Sequence, residues 1–275
     1  PAPRGAVRRQ LQLPHLLRRL DADVLHSPVA AVPLSAPCAT IATVHDLPWL
    51  HPELHEPSSA RRRLATRLAL RRAHAVLAPS AFTAADVARL LPQRHTVRVV
   101  PHATEPSPAP DARAASARRG PLLVLGDDRP RKNRPHLVAA WHLARATRPE
   151  LPALQFVGPR DGFVDEPHKQ QLLAQCRAVV HVSRFEGFGL PVLEGLAHGA
   201  PVLCSDLPPH HEIAAEHALY VPPGDPAAIA AGLLRIDGDE ALRRTLALGG
   251  HQRAQLFRPA AVASAWRRLH EELAR

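Results

Sequence analysis

"AVVHVSRFEGFGLPVLEGLAHGAPVLC", residues 178–204, decides how the chain is read. A continuous apolar run, 178–182, has the length and Val content of a buried strand. The run 190–198 reads as a short helix, and 201–204 as another buried strand. Gly199 falls just past the helix, where a left-handed residue is least costly without a Cβ. Pro191 falls in the first turn, where its missing N–H leaves no gap. Strand, helix and strand in 27 residues make a βαβ unit, so the strands run parallel.

The loop of that unit carries the chemistry. Gly187 and Gly189 let the backbone approach a ligand closely. The amides of Gly187, Phe188, Gly189 and Leu190 lie at the positive end of the helix and form a natural anion site. Glu194 sits one turn further in, where a carboxylate can accept from a vicinal diol. Glu186 lies in the loop beside whatever the loop holds. Anion-binding amides between two carboxylates suit a sugar nucleotide. Glu-x7-Glu alone is more often a helix with two incidental glutamates.

The same pattern recurs along the chain. Strands are expected at 23–26, 40–44, 75–78, 97–100, 122–125, 154–157 and 219–221, besides the two above. Helices are expected at 59–73, 81–91, 135–147, 168–177, 226–236, 239–255 and 259–274. Asp225 and Pro226 form an N-cap and first helical residue. Short apolar strands alternating with helices define an α/β class with parallel sheets. Residues 102–120, rich in Pro, Ala and Arg, read as a linker. This gives a first domain over 1–118, a second over 119–256, and a terminal helix over 257–275. Val262, Trp266, Leu269 and Leu273 form one stripe of that helix, which must therefore dock.

Composition narrows the function. Apolar residues make up 45% of the 275, enough for globular cores. The net charge is +10, and it is uneven: residues 1–118 carry 16 basic against 8 acidic side chains. An anionic partner suits that half. In "RRRLATRLALRRAHAV", 61–76, a helix puts Leu64 and Leu68 on one face, beside Ala65 and Ala69. Arg63, Arg67 and Arg71 line another. This is an ordinary solvated face or, through 61–73, a peripheral membrane contact. Aromatics are only 4%, so stacking platforms for nucleic acid are scarce and no nucleic-acid partner is expected. Residues 24–44 lack charge, but Pro28, Pro33 and Pro37 exclude a membrane helix. Cys38, Cys176 and Cys204 have no zinc spacing and read as buried thiols of a reducing, cytoplasmic chain.

"EGFGLPVLE" followed by "GAPVLCSDLPPHHEI" resembles the signature of the retaining glycosyltransferases of family 4. "TVHDLPWLHPEL" (43–54), "VLAPSAFTAADVARLL" (76–91), "VRVVPHATEP" (97–106), "LLVLGDDRPRKNRPHLVAAW" (122–141) and "YVPPGDPAAI" (220–229) match in order. The resemblance implies a GT-B fold: two Rossmann-like domains facing across a cleft, with the donor nucleotide on the second and no catalytic metal or cofactor. It implies that Gly126 and the 187–190 amides contact the donor. Arg131 and Lys132 would hold its diphosphate, Glu194 its ribose and Glu186 its sugar. His45 would act from the first domain. The donor would be a GDP- or UDP-sugar and the acceptor a glycan or lipid-linked glycan. Mannose is the expected sugar; the cytoplasm is the expected place, with the inner membrane face as one site within it.

The sequence departs from that family pattern twice. Residues 1–22 contain no glycine-rich loop ahead of the first strand, so the first domain is expected to be incomplete. Only 27 residues separate Gly158 from Glu186, room for one helix where the pattern has two and a strand. Asp127 and Asp128 flank the expected diphosphate site and would oppose it unless neutralised. A catalytically impaired nucleotide-sugar-binding relative, and a basic α/β protein of membrane or nucleic acid, stay open at this level.

Overall fold

The computed structural model describes residues 5–92, 97–109 and 118–274. The chain forms two compact units, residues 1–101 with 262–275, and residues 102–261. Residues 110–117 of the expected linker lie outside the described residues. Its described start, 102–109, belongs to the second unit, where the Thr104 N–H donates to Phe257 O and the Ser107 N–H to Ala197 O.

The first unit runs α1 (Ala6–Arg19), β1 (Val24–Ser27), β2 (Ala39–Thr43), α2 (Ala60–Arg72), β3 (Ala75–Ala78), α3 (Ala81–Leu90) and β4 (Val97–Val99). Its strands pair in the order β1-β2-β3-β4, all parallel. Ser80 caps α3 by accepting from the Thr83 N–H at 3.0 Å. Ile41, Leu70, Val76, Leu77 and Val87 are buried in its core. Helix α1 was not expected from the sequence: Pro14 lies inside it and breaks the helical pattern.

Helix α2 also differs from its sequence reading. The leucines that mark its apolar face, Leu64 and Leu68, are 58% and 40% exposed. The helix instead buries Ala69 and Leu70 in its last turns, where the chain tucks under β3. Leu64 and Leu68 are left among the exposed Arg61, Arg62, Arg63, Arg67 and Arg71.

The second unit runs β5 (Leu122–Leu125), α4 (Arg134–Thr147), β6 (Leu154–Val157), α5 (Glu166–Gln175), β7 (Ala178–His181), α6 (Leu190–Ala197), β8 (Val202–Ser205), α7 (Pro208–Ala214), β9 (Leu219–Val221), α8 (Pro226–Gly238) and α9 (Glu240–Ala254). Helix α7 too was unexpected; seven residues opening on Pro-Pro offer too little periodicity to read. The sheet order is β6-β5-β7-β8-β9, all parallel. Chain direction across the sheet reverses at β5, which lies between β6 and β7. In such sheets the crevice at the carboxyl ends of the strands flanking that reversal is the ligand site. One buried cluster on each face closes the core, with Leu193, Leu196 and Ile213 in one and Leu137, Ile229 and Leu233 in the other.

The last helix, α10 (Pro259–Leu273), returns to the first unit from Val262 onward. Val262 and Leu269 are buried against Ile41, Ala75, Leu77 and Val100, with Trp266 and Leu273 packed alongside. Trp266 also packs on His26, ring centroids 4.9 Å apart. Arg98 of β4 pairs with Glu272 of α10 at 2.6 Å. Leu269→Ala is expected to destabilise the fold by about 2–4 kcal/mol, the usual loss for a buried leucine. Urea unfolding of the two proteins measures it.

Candidate active site

The site is built at the reversal in the second sheet. After β5 the chain turns at Gly126, whose φ of 131° suits glycine, and runs through a 3-10 turn, Pro130–Lys132, into α4. After β7 it runs through Ser183–Gly189 into α6. Both segments leave the carboxyl ends of neighbouring parallel strands, so their side chains converge. Lys132 Nζ donates to Glu186 Oε1 at 2.7 Å, and His181 Nε2 donates to the same oxygen at 2.8 Å. Glu186 is 7% exposed. Burial opposes its ionisation, but the neighbouring His181 ring and Lys132 ammonium outweigh that and hold the carboxyl well below its usual range.

Asn133 fastens the two segments together. Its backbone is left-handed, φ 62°, and its Nδ2 donates to Val182 O at 2.9 Å and Pro223 O at 2.7 Å. The Arg184 N–H donates to Arg131 O at 2.7 Å. Lys132 is thus delivered to Glu186 by backbone that is itself tied to β7.

Helix α6 starts at Leu190 with Gly189 as N-cap and no side-chain cap. Gly189 has φ 119°, and a Cβ there would lie 2.9 Å from the His210 ring. The turn therefore requires glycine for its conformation and for its packing. His210 is fully buried and its Nδ1–H donates to Ser205 O at 2.8 Å. Its Nε2 then carries the lone pair, and finds no hydrogen-bond partner among the described residues. Burial, then the nearby His181, push the His210 pKa down to about 4. Phe188 is buried edge-on against His102 and Phe257, so only its backbone is available to a ligand. Leu190 is half-exposed.

Glu194 faces outward from α6 on the stripe it shares with Pro191 and His198, while Val192, Leu193, Leu196 and Ala197 are buried. Its Oε1 accepts from Lys169 Nζ of α5 at 2.8 Å. Lys169 also reaches Glu166, 3.0 Å away in the first turn of that helix. Burial disfavours the Lys169 ammonium, but bonds to these two carboxylates more than compensate and raise its pKa.

Of the residues expected at the site, Lys132, Glu186, Gly126, Gly187, Phe188, Gly189, Leu190 and Glu194 flank the β5–β7 reversal. Arg131 is also here but 4% exposed, its guanidinium 5.9 Å from the Phe185 ring. It lies beneath the site, and Lys132 is the more accessible cation. His45 belongs to the first unit. It is exposed just past β2, with its Nε2 donating to Pro28 O at 2.8 Å.

The two acids beside Lys132 are neutralised. Asp127 pairs with Arg129 at 2.6 Å, and Asp128 with Arg160 at 2.7 Å. Arg160 lies in the short 158–165 turn between β6 and α5. That turn is pinned again by Asp161, which accepts both terminal nitrogens of Arg134 at 2.6 and 2.7 Å. Arg134 stacks on Phe156 at 3.8 Å. Gly158 presses so close to Gly126 O that a Cβ there would clash.

Sequence reasoning missed His181, Asn133, Lys169 and His210. His181 hides inside an apolar strand run. Asn133 was visible only as the third letter of "RKN". The rarity of lysine was the one signal that could have marked Lys169.

No described helix is long and apolar enough to cross a membrane. The group 1 glycosyl transferase family matches residues 87–239, and Glycosyltransferase Family 4 matches residues 1–108. A curated relative, O-antigen chain mannosyltransferase B of Escherichia coli, is 31% identical over 161 residues, 50% of this chain and 42% of its own length. The matched chain thus spans less than half of that relative. Sucrose-phosphate synthase of Thermosynechococcus elongatus is structurally similar, with TM-score 0.77 and 22% identity over 97% of this chain and 77% of its own. Anabaena HepE, solved with UDP and glucose, gives TM-score 0.71 and 17% identity over 98% and 84%. These likenesses show the fold, GT-B.

Two outcomes test the site's architecture. Gly189→Ala is expected to destabilise by more than about 1–2 kcal/mol, from positive φ and the clash with His210 together. For His210, the unfolded chain takes up a proton between pH 6.5 and about 4 that the folded chain refuses. Its contribution to stability is therefore intact above pH 6.5 and falls by about 3 kcal/mol as the pH drops towards 4. His210→Leu should flatten that limb, as followed by denaturant unfolding at a series of pH values. The family match, spanning more than half of the chain, settles what the site alone suggested: this chain belongs to the group 1 glycosyl transferases.

Proposed function

We propose that the chain is a retaining glycosyltransferase that moves a sugar, with mannose the leading candidate, from a nucleotide-sugar donor to a glycan or lipid-linked acceptor. The observation that carries this is the Lys132–Glu186 pair at the reversal of the second sheet. The mannosyltransferase name of the Escherichia coli relative supports the choice of sugar.

In this reading Lys132 turns towards the donor diphosphate and stabilises its charge as the glycosyl bond breaks. Arg131 adds positive potential from below. Cations of the chain take the part a metal would otherwise play, and no resident metal or cofactor is proposed. The amides at Gly187–Leu190 receive the donor sugar and phosphates, and Glu194 accepts from the ribose diol. Glu186, released by Lys132 but still held by His181, accepts from sugar hydroxyls. The bond from the anomeric carbon to the phosphate oxygen breaks, and a bond to the acceptor oxygen forms on the same face. The leaving phosphate takes the acceptor proton. His45 is proposed as the first unit's catalytic residue on the family resemblance.

A membrane-facing role for α2 is part of the proposal. Leu64 and Leu68, exposed among arginines, suit the headgroup boundary of an anionic surface at the inner membrane face. Flotation with anionic and with neutral vesicles tests it: binding to the anionic kind alone, weakened by salt and by Leu64→Ser with Leu68→Ser, is the expected result.

One specific observation favours a second reading, a nucleotide-sugar-binding relative without transfer: both signature glutamates are already ion-paired within the chain. A thermal-shift series with GDP, UDP, GDP-mannose and UDP-glucose, followed by donor turnover, separates the two. Donor binding must raise the melting midpoint by mass action. For the enzyme, Lys132→Ala should lower donor turnover by about 10²-fold or more, the usual loss of one preorganised charge donor. Binding without turnover favours the second reading, and turnover unchanged in Lys132→Ala overturns the assignment of Lys132.

A further inference from the structure

All but two of the 35 basic side chains are arginine; the exceptions are Lys132 and Lys169. Each lysine sits on one of the two signature glutamates, Lys132 on Glu186 at 2.7 Å and Lys169 on Glu194 at 2.8 Å. Apart from the Lys169–Glu166 contact, every other pair between a long basic side chain and a carboxylate among the described residues uses arginine. A chain that otherwise meets its carboxylates with guanidinium has kept ammonium at these two places.

The difference has a physical meaning. A guanidinium fork can take both oxygens of a carboxylate at once, as Arg134 does on Asp161. An ammonium is a point charge and takes one. Lys169 holds Glu194 by Oε1 alone. A carboxylate that has to receive two hydroxyls of a vicinal diol needs a fixed orientation and an oxygen that no fork has taken. Lys169 is itself anchored through Glu166, so the orientation is set from α5, outside the helix that carries Glu194. Both members of the pair are partly open, with side chains 24% and 21% exposed, so a ligand can reach them.

We infer that Lys169 is a positioning residue for the nucleotide: it turns Glu194 so that one carboxylate oxygen faces the ribose diol of a nucleoside diphosphate. This rests on the donor reading proposed above. It also gives a task to the shortened segment between Gly158 and Glu186, whose single helix reaches the site through this side chain.

Calorimetry with UDP and GDP, and with their 2′,3′-dideoxy counterparts, tests the inference. Lys169→Ala is expected to weaken the ribonucleotides about 10-fold, the scale of one well-placed hydrogen bond to a charged group. The dideoxy forms lack the diol and should change by less than about 2-fold, within measurement scatter on that scale. Lys169→Arg keeps the charge and the pair but engages both oxygens, so it should remain weak for the ribonucleotides. Unchanged melting of both variants shows that the fold is retained, as a partly exposed helix position allows. Equal weakening of ribo and dideoxy forms, full affinity in Lys169→Ala, or full affinity in Lys169→Arg overturns the role of Lys169 and leaves the donor reading standing. Wild-type protein that binds none of the four overturns both.

Discussion

A carboxylate taken out of water must find charge and hydrogen-bond donors, and Glu186 finds an ammonium on one side of the crevice and an imidazole N–H on the other. Lys132 comes from the segment after β5, and His181 from the end of β7. Neither strand could shift along the other without unpairing that charge. Asn133 and the Arg184–Arg131 backbone bond fasten the same two segments. The reversal of the second sheet is therefore held by polar contacts above an apolar core, at the place where a ligand would enter. Removing Lys132 strands a buried charge, so the pair is a specifier of geometry as much as of chemistry.

The nine strands among the described residues were legible because buried parallel strands are short, apolar and β-branched. The ends moved by one residue at most. Helix α8 was legible from its cap, Asp225; Ser80, Asp165 and Asp239 cap other helices in the same way, each accepting from an early-turn amide. What failed were elements whose local signal contradicts their state. Pro14 sits inside α1, and α7 is too short to show a period. The exposed leucines of α2 show the limit of periodicity. A stripe reveals a face, but tertiary contact chooses which residues it buries.

The candidate site was legible in outline through spacing and resemblance, because Glu186, Glu194 and Lys132 stand in motifs that the fold brings to the β5–β7 reversal. Its inner support was not. His181, Asn133 and His210 act across the fold, on residues 5, 49 and 5 positions away in sequence. A buried polar side chain among apolar neighbours looks in sequence like a poor strand or helix residue, and only its partner explains it. Asp127 and Asp128 make the reverse case: the sequence suggests a repulsive pair, and the fold supplies an arginine to each.

The scarcity of ammonium groups gives the molecule a built-in reporter. A reagent that acylates amines and ignores guanidinium meets only two side chains, and both stand on the carboxylates of the candidate site. The extent of modification at Lys132 and at Lys169 therefore reports separately on the Glu186 and Glu194 ion pairs. A mass spectrometer can read them as two distinct peptides, without any label having been engineered.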